Sequence, residues 1–431
     1  MKKAIAFLLT LALTSGTITA FASEKTEESN SIVETSVYQS EESPTGYMVA
    51  FRYPASEDVE RVRLMGEWGF TDLAHASRST SLNLPATEWQ DGYINLYYNG
   101  GDIYELELDE ESGVWSVDVP LPAGTWSYYF LLNGEGEIRD TEGAVMAYDP
   151  GNVPYIYDAE NGFEVKEDYT SGIYVPCDSE KQSEDMDEQA PREDGQTGTI
   201  EYVTVEDHMS AVYLPYGYDE DREDPYPFLV LIPGGGGTEN SWFNKGAAQN
   251  ILDNMIAEGR TEPLVVLSAD INELGTFEMS DYIADYVLPY MEENYNISTD
   301  YKDHAYSGLS MGGHTTGMTL ANHYDKFGYI GVLSNGASSV RAEGYDFSGI
   351  KEYGTTIFLG AGTYDYAYLG KANTIEPRSE AHSGLLDNMG VLQDCLADNE
   401  VEFTTLLVPG GHAWRTWQVC LVYMLENILW K

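Results

Sequence analysis

Positive charge is scarce in this 431-residue chain: 22 Lys and Arg stand against 72 Asp and Glu, a formal net charge of −50. Such a surface repels phosphate backbones and anionic headgroups, which argues against nucleic acid or a membrane surface as partner. Cysteine is nearly absent. Cys177, Cys395 and Cys420 are too few for a disulfide scaffold and have the spacing of no zinc site; Cys395 and Cys420 are either a pair or two buried thiols. Beyond the first residues no apolar run is long enough to span a bilayer. The glycine run at 234–237 is not followed by the Lys-Ser/Thr of a phosphate-binding loop and completes no dinucleotide fingerprint. No metal or organic cofactor is called for.

What is present divides the chain into segments. Residues 1–22 carry Lys2 and Lys3, an apolar stretch from Ala4 to Leu13, and Ala20-Phe21-Ala22 before Ser23. That is the pattern of a secretory signal, so a secreted, extracellular protein is expected. Residues 23–45 are acidic and polar, as in a tether. From 46 to 163, segments such as "VERVRLMGEW" and "GTWSYYFLLNGE" alternate apolar and polar residues between turn formers, which predicts an all-β sandwich. Residues 164–198 are charged and poor in apolar side chains, as in a linker. From 199 to 431 the texture becomes α/β. Apolar runs at 227–232, 263–269, 304–309, 329–335, 355–362 and 403–410 suit strands covered on both faces. Helix-period stretches lie between them, so a doubly wound sheet is predicted, with a kink or break at Pro289.

The segment "HAYSGLSMGGHTTG" places Ser310 in G-x-S-x-G, after an apolar strand and before a helix-compatible stretch. This is the context of a nucleophile elbow, in which a tight strand-to-helix turn exposes the serine hydroxyl. Such a hydroxyl needs a base. His412, in "LLVPGGHAWRTW", follows the last apolar run, at the sheet edge where sites form in open α/β folds. His314 and His304 flank Ser310 in sequence, and His75, His208, His323 and His382 have no supporting context. The base needs a carboxylate to orient it. Asp365, in "FLGAGTYDYAY", follows a strand and a glycine-bearing turn; Asp346 and Asp387 are the fallbacks. For the oxyanion, backbone N–H groups of Met311 and Gly235 are the candidates. Trp242, Trp414 and Trp417 flank these loops, either as an aromatic wall for substrate or as packing.

"AVYLPYGYDEDREDPYPFLVLIPGGGG", "DYIADYVLPYMEENYNISTDYKDHAYSGLSMGG" and "VPGGHAWRTW" resemble the esterase-D-like α/β hydrolases, which include the feruloyl and acetyl xylan esterases of carbohydrate esterase family 1. The resemblance runs from "GTIEYVTV" to the C-terminus and puts the family's nucleophile, acid and base on Ser310, Asp365 and His412. Two departures stand out: Pro233-Gly234 where the family usually has His-Gly, and Ala413 where an acidic residue often follows the histidine. "GVWSVDVPLPAGTWSYYFLLNGEGEIRDTEGAVMAYDPGN" resembles the Ig-like early-set modules found beside glycogen- and starch-active enzymes. Its Trp68, Trp115, Trp126, Tyr128 and Tyr129 are either sugar-stacking rings or core.

The resemblance implies a cofactor-free serine esterase acting on polysaccharide-linked esters, feruloyl first and acetyl second. A siderophore esterase of the same fold and a catalytically degenerate carbohydrate-binding protein are the alternatives.

Overall fold

The computed structural model describes residues 33–72, 76, 84–96, 102–155, 169–272, 274–335, 347–369 and 388–431. The expected signal at 1–22, His75, His382, Asp346 and Asp387 lie outside them.

The N-terminal region is all β. One antiparallel sheet has the order Ser36–Gln39, Tyr47–Pro54, Val114–Pro120, Glu107–Asp109. A second has the order Ala144–Ala147, Gly124–Asn133, Val62–Gly66, Asp102–Glu105. A two-stranded ribbon, Phe70–Thr71 with Ile94–Asn95, completes it. The alternating residues of both sheets close on one core that includes Val49, Phe51, Leu64, Trp68, Val119, Trp126, Tyr128 and Phe130. Trp68, Trp126 and Tyr128 are therefore spent on packing, with Phe51 edge-on to Tyr128 at 4.8 Å. Trp115 packs partly buried against the same core, and Tyr129 meets Tyr169.

Two stretches that read as polar connections contain strands. Ser36–Gln39, inside the expected tether, pairs with Tyr47–Pro54. Ser171–Val175, inside the expected linker, pairs with Gly124–Asn133. Both are short, and an edge strand needs only backbone partners on one side, so composition hides it. Described linker residues beyond that strand are also anchored. Gln182 accepts from Ala123 N–H and donates to Thr45 O, and Gln189 accepts from Thr125 N–H.

The C-terminal region is an eight-stranded mixed sheet in the order Thr199–Val205, His208–Leu214, Val265–Ala269, Phe228–Ile232, His304–Leu309, Tyr329–Leu333, Thr356–Gly362, Thr404–Val408. The first two strands run antiparallel and the six apolar runs form the parallel part. Phe228–Ile232, Val265–Ala269 and His304–Leu309 are buried at every position, because helices cover both faces. Two cores follow, one on each face. Pro289 interrupts no helix outright. Helix Thr276–Tyr282 passes through a π-helical turn at Ile283–Val287 and resumes at Leu288–Asn294, with Pro289 in its first turn, where a missing N–H is tolerated. All three cysteines are free thiols; Cys420 is buried.

Candidate active site

The elbow forms where the strand His304–Leu309 meets the helix Met311–Asn322. Ser310 sits between them at φ 53° and ψ −114°, a conformation that side chains rarely adopt. Surrounding glycines make the turn possible. A Cβ on Gly308 would lie 2.5 Å from Gly312 O, and one on Gly312 would lie 2.4 Å from the carbonyl oxygens of Ile232 and Pro233. The backbone is held by Ser310 N–H donating to Leu333 O (3.0 Å) and by Asn335 donating to Ser310 O (2.7 Å). The side chain is thereby pushed out, and Ser310 is partly exposed.

The structure brings Ser310, His412 and Asp365 together from positions far apart in the chain. His412 Nε2 lies 3.0 Å from Ser310 Oγ. His412 Nδ1 lies 3.0 and 3.1 Å from the two Asp365 oxygens. Asp365 is fully buried, and its Oδ1 also accepts from Ala367 N–H at 2.8 Å. A buried carboxylate that accepts from Nδ1–H leaves the Nε2 lone pair facing the serine, which is the arrangement that takes a proton from a hydroxyl.

The glycine run bends over Ser310. Gly237 N–H donates to Gly234 O at 2.9 Å, and Gly236 sits at φ 81°, a turn conformation open to glycine. A Cβ on Gly234 would lie 3.1 Å from Ser310 Cβ, and one on Gly235 would meet Met311 Sδ. Among the described residues neither Gly235 N–H nor Met311 N–H donates to a protein acceptor. Gly236 N–H is already committed to Asn272 Oδ1 at 3.0 Å.

Two residues near this centre were not singled out from the sequence. Tyr366 Oη is 2.9 Å from His412 Nε2, and its ring lies 4.3 Å from the imidazole, tilted by 33°. Its phenol and the serine hydroxyl thus share one nitrogen lone pair. Asn272 braces the glycine turn from both sides, accepting from Gly236 N–H and donating to Gly237 O at 2.6 Å. Tyr366 stood next to Asp365 in the chain, and that adjacency was the available signal. Asn272 had none, because its partner is a backbone turn 35 residues away.

The three tryptophans pack on one another, and Trp414 is the one left partly exposed. Trp242 is fully buried, and Trp414 meets both Trp242 (5.4 Å) and Trp417 (5.3 Å) edge-on. Trp417 is 5% exposed, donates its indole N–H to Ser334 Oγ at 2.7 Å, and lies perpendicular to the His412 ring at 5.0 Å. The helix Trp414–Asn427 turns Trp417 inward, Trp414 at its first position is partly buried, and Trp242 comes from the short helix Ser241–Asn244. The other described histidines are elsewhere. His304 is buried, with Nε2 2.6 Å from Ser298 O, His323 pairs with Asp281, and His208 packs on Tyr282. Burial lowers the pKa of His314, on the outgoing helix. Among the described residues no three His, Cys, Asp or Glu side chains cluster as metal ligands would, and no helix is long and apolar enough to cross a membrane.

The chain matches the Esterase family model over residues 204–428. It is 29% identical over 262 residues to an endo-1,4-beta-xylanase/feruloyl esterase of Xylanibacter ruminicola, a match covering 56% of this chain and 33% of that protein. It is 31% identical over 227 residues to endo-1,4-beta-xylanase Y of Acetivibrio thermocellus, covering 47% of this chain and 20% of that one. The matches thus span a third or less of these relatives' length. A solved feruloyl esterase module from Clostridium thermocellum, complexed with sinapinate, is 25% identical over 56% of this chain and 90% of its own, with a TM-score of 0.42. The family match takes in the elbow, the glycine turn and both partner loops, over more than half of the residues, and the chain belongs to the Esterase family.

Proposed function

We propose that this protein is a secreted serine carboxylesterase that removes ester substituents from plant polysaccharides, feruloyl esters of arabinoxylan first among them. The observation that carries the reading is the hydroxyl–imidazole–carboxylate line, with Nε2 3.0 Å from Ser310 Oγ and Nδ1 3.0 Å from Asp365. In this reading Ser310 Oγ attacks the ester carbonyl carbon while His412 Nε2 takes its proton. The oxyanion is held by the N–H groups of Gly235 and Met311. Collapse breaks the bond to the sugar oxygen, which leaves with the proton returned by His412. Water then attacks the acyl-serine, again giving its proton to His412, and the carboxylic acid departs as Ser310 is restored. Asp365 keeps the imidazole in the useful tautomer and stabilises its protonated form. The acyl group is inferred from the relative whose name includes feruloyl esterase, and from Tyr366 and the 44% exposed Met311 beside the hydroxyl, which suit a flat aromatic acid.

The test is hydrolysis of methyl ferulate and feruloylated arabino-oligosaccharides, with acetylated xylo-oligosaccharides and a siderophore ester alongside, and labelling by a fluorophosphonate probe. Wild type should label and release ferulate, and Ser310→Ala should do neither while melting as wild type does. A Ser310→Ala protein that keeps activity within a few-fold would remove the serine from the mechanism. A labelled protein that releases only acetate or opens only the siderophore ester would keep the serine and replace the substrate.

A further inference from the structure

We propose that the N-terminal β region is a positioning module for the two loops that carry His412 and Asp365. This rests on the serine-esterase reading above and goes beyond it, because it assigns the β region a part in the chemistry.

One grip comes from the short ribbon strand Ile94–Asn95 and the residue after it. Gly411 N–H, next to His412, donates to Asn95 O at 3.0 Å. A Cβ on Gly411 would lie 2.7 Å from Leu96 O, so the two backbones are in direct contact. Tyr364, next to Asp365, packs on the cluster of Ala76, Ile94 and Leu96, and its N–H donates to Gly410 O at 2.9 Å. The acid loop and the histidine loop are therefore tied to each other and pressed on the same strand. Asn95 is itself pinned, since its Oδ1 accepts from Gly69 N–H at 3.1 Å and Leu96 N–H donates to Gly69 O at 3.0 Å.

A second grip lies just past the histidine. Arg415 donates to Ala123 O at 2.7 Å, holds its guanidinium 5.4 Å over the Trp126 ring, and pairs with Glu184 at 3.6 Å. Gly124 leaves room for it: φ there is 114°, and a Cβ would lie 2.8 Å from Arg415 Nη1. Gln418, on the same helix, donates to Thr125 O at 3.3 Å and to Lys245 O at 2.9 Å. His412 hangs between these grips on a Gly-Gly loop, which has little stiffness of its own. A base displaced by about 1 Å loses up to roughly 100-fold in rate. Holding that loop from outside the catalytic sheet is what the β region contributes.

The experiment uses the full-length protein with Asn95→Ala and Arg415→Met, each beside a conservative partner, Asn95→Asp and Arg415→Lys. Steady-state kinetics on methyl ferulate, the rate of fluorophosphonate labelling and melting curves are measured for all. Asn95→Ala and Arg415→Met should lose about 10- to 100-fold in kcat with KM within about twofold, labelling should slow in parallel, and Asn95→Asp should regain most of the loss. If Asn95→Ala does not fold, Arg415→Met and Arg415→Lys decide. Folded variants that keep kcat and labelling within twofold of an active wild type overturn the proposal. So does a rise in KM at constant kcat, which would mean that this face touches substrate instead. A wild type that neither labels nor hydrolyses any ester fails the serine-esterase reading itself, a result distinct from both.

Discussion

Replacing Asp365 by Asn tests the catalytic geometry more sharply than removing the serine. The two side chains have nearly the same shape, and the site is fully buried, so packing should change little. What changes is set by one neighbour. Ala367 N–H donates to Asp365 Oδ1 at 2.8 Å, and an amide NH₂ cannot accept there. The Asn must keep its oxygen at that position and place its NH₂ where Oδ2 stood, 3.1 Å from His412 Nδ1. Nδ1 then becomes the acceptor and the ring proton moves to Nε2, which faces Ser310 Oγ at 3.0 Å with no lone pair to offer. The amide oxygen remains 3.0 Å from Nδ1, so a small fraction of imidazole keeps the useful tautomer and supplies the residual rate. A wrong-tautomer defect of this kind costs about 10⁴-fold in kcat, or roughly 5.5 kcal/mol of transition-state stabilisation. The assay is kcat and KM on p-nitrophenyl acetate and methyl ferulate, with a melting curve to show the fold intact. A loss smaller than about tenfold in a folded variant would refute the reasoning, because the buried carboxylate would then not be setting the proton's place.

Two further outcomes follow from other parts of the molecule. Asn272→Ala removes the brace on the Gly234–Gly237 turn and should lower kcat about 10- to 100-fold with KM nearly unchanged, as loss of oxyanion alignment does; steady-state kinetics showing a changed KM and an intact kcat would refute it. Asp253 is buried, with its pKa raised by desolvation from 3.8 to about 6, and it uses only Oδ1 to accept from Gly198 N–H and Tyr213 Oη–H. Its native form binds a proton more tightly than the unfolded chain, so its cost is absent below the unfolded value, grows as pH rises, and is complete above about 6. Asp253→Asn keeps both bonds and removes the charge, and should gain roughly 1–3 kcal/mol at pH 7.5 and almost nothing at pH 4 by urea unfolding; an equal effect at both values would show that the buried charge is not the cause.

The sequence alone determined the elements whose side chains repeat with a clear period and the residues whose backbone constraint is local. The six parallel strands were legible because each carries a mostly apolar run free of Asp, Glu, Lys and Arg, fully buried in the three central strands and only partly buried at the edge strand Thr404–Val408. Ser310 was legible because its glycines are demanded by a turn only five residues long. His412 and Asp365 could be read as candidates because the carboxyl ends of the parallel strands are where sites form in this architecture. The strands Ser36–Gln39 and Ser171–Val175 were not legible, since an edge strand is made by its partner's backbone more than by its own pattern. The packing of Trp242, Trp414 and Trp417 on one another was decided by tertiary structure, because proximity in sequence does not say which way a helix turns its rings. The same holds for Asn272 on the glycine turn and for the grips of Asn95 and Arg415 across the two regions. In each case one partner is a backbone N–H or carbonyl, a group every residue type carries alike, so no choice of amino acid announces the contact before the chain has folded.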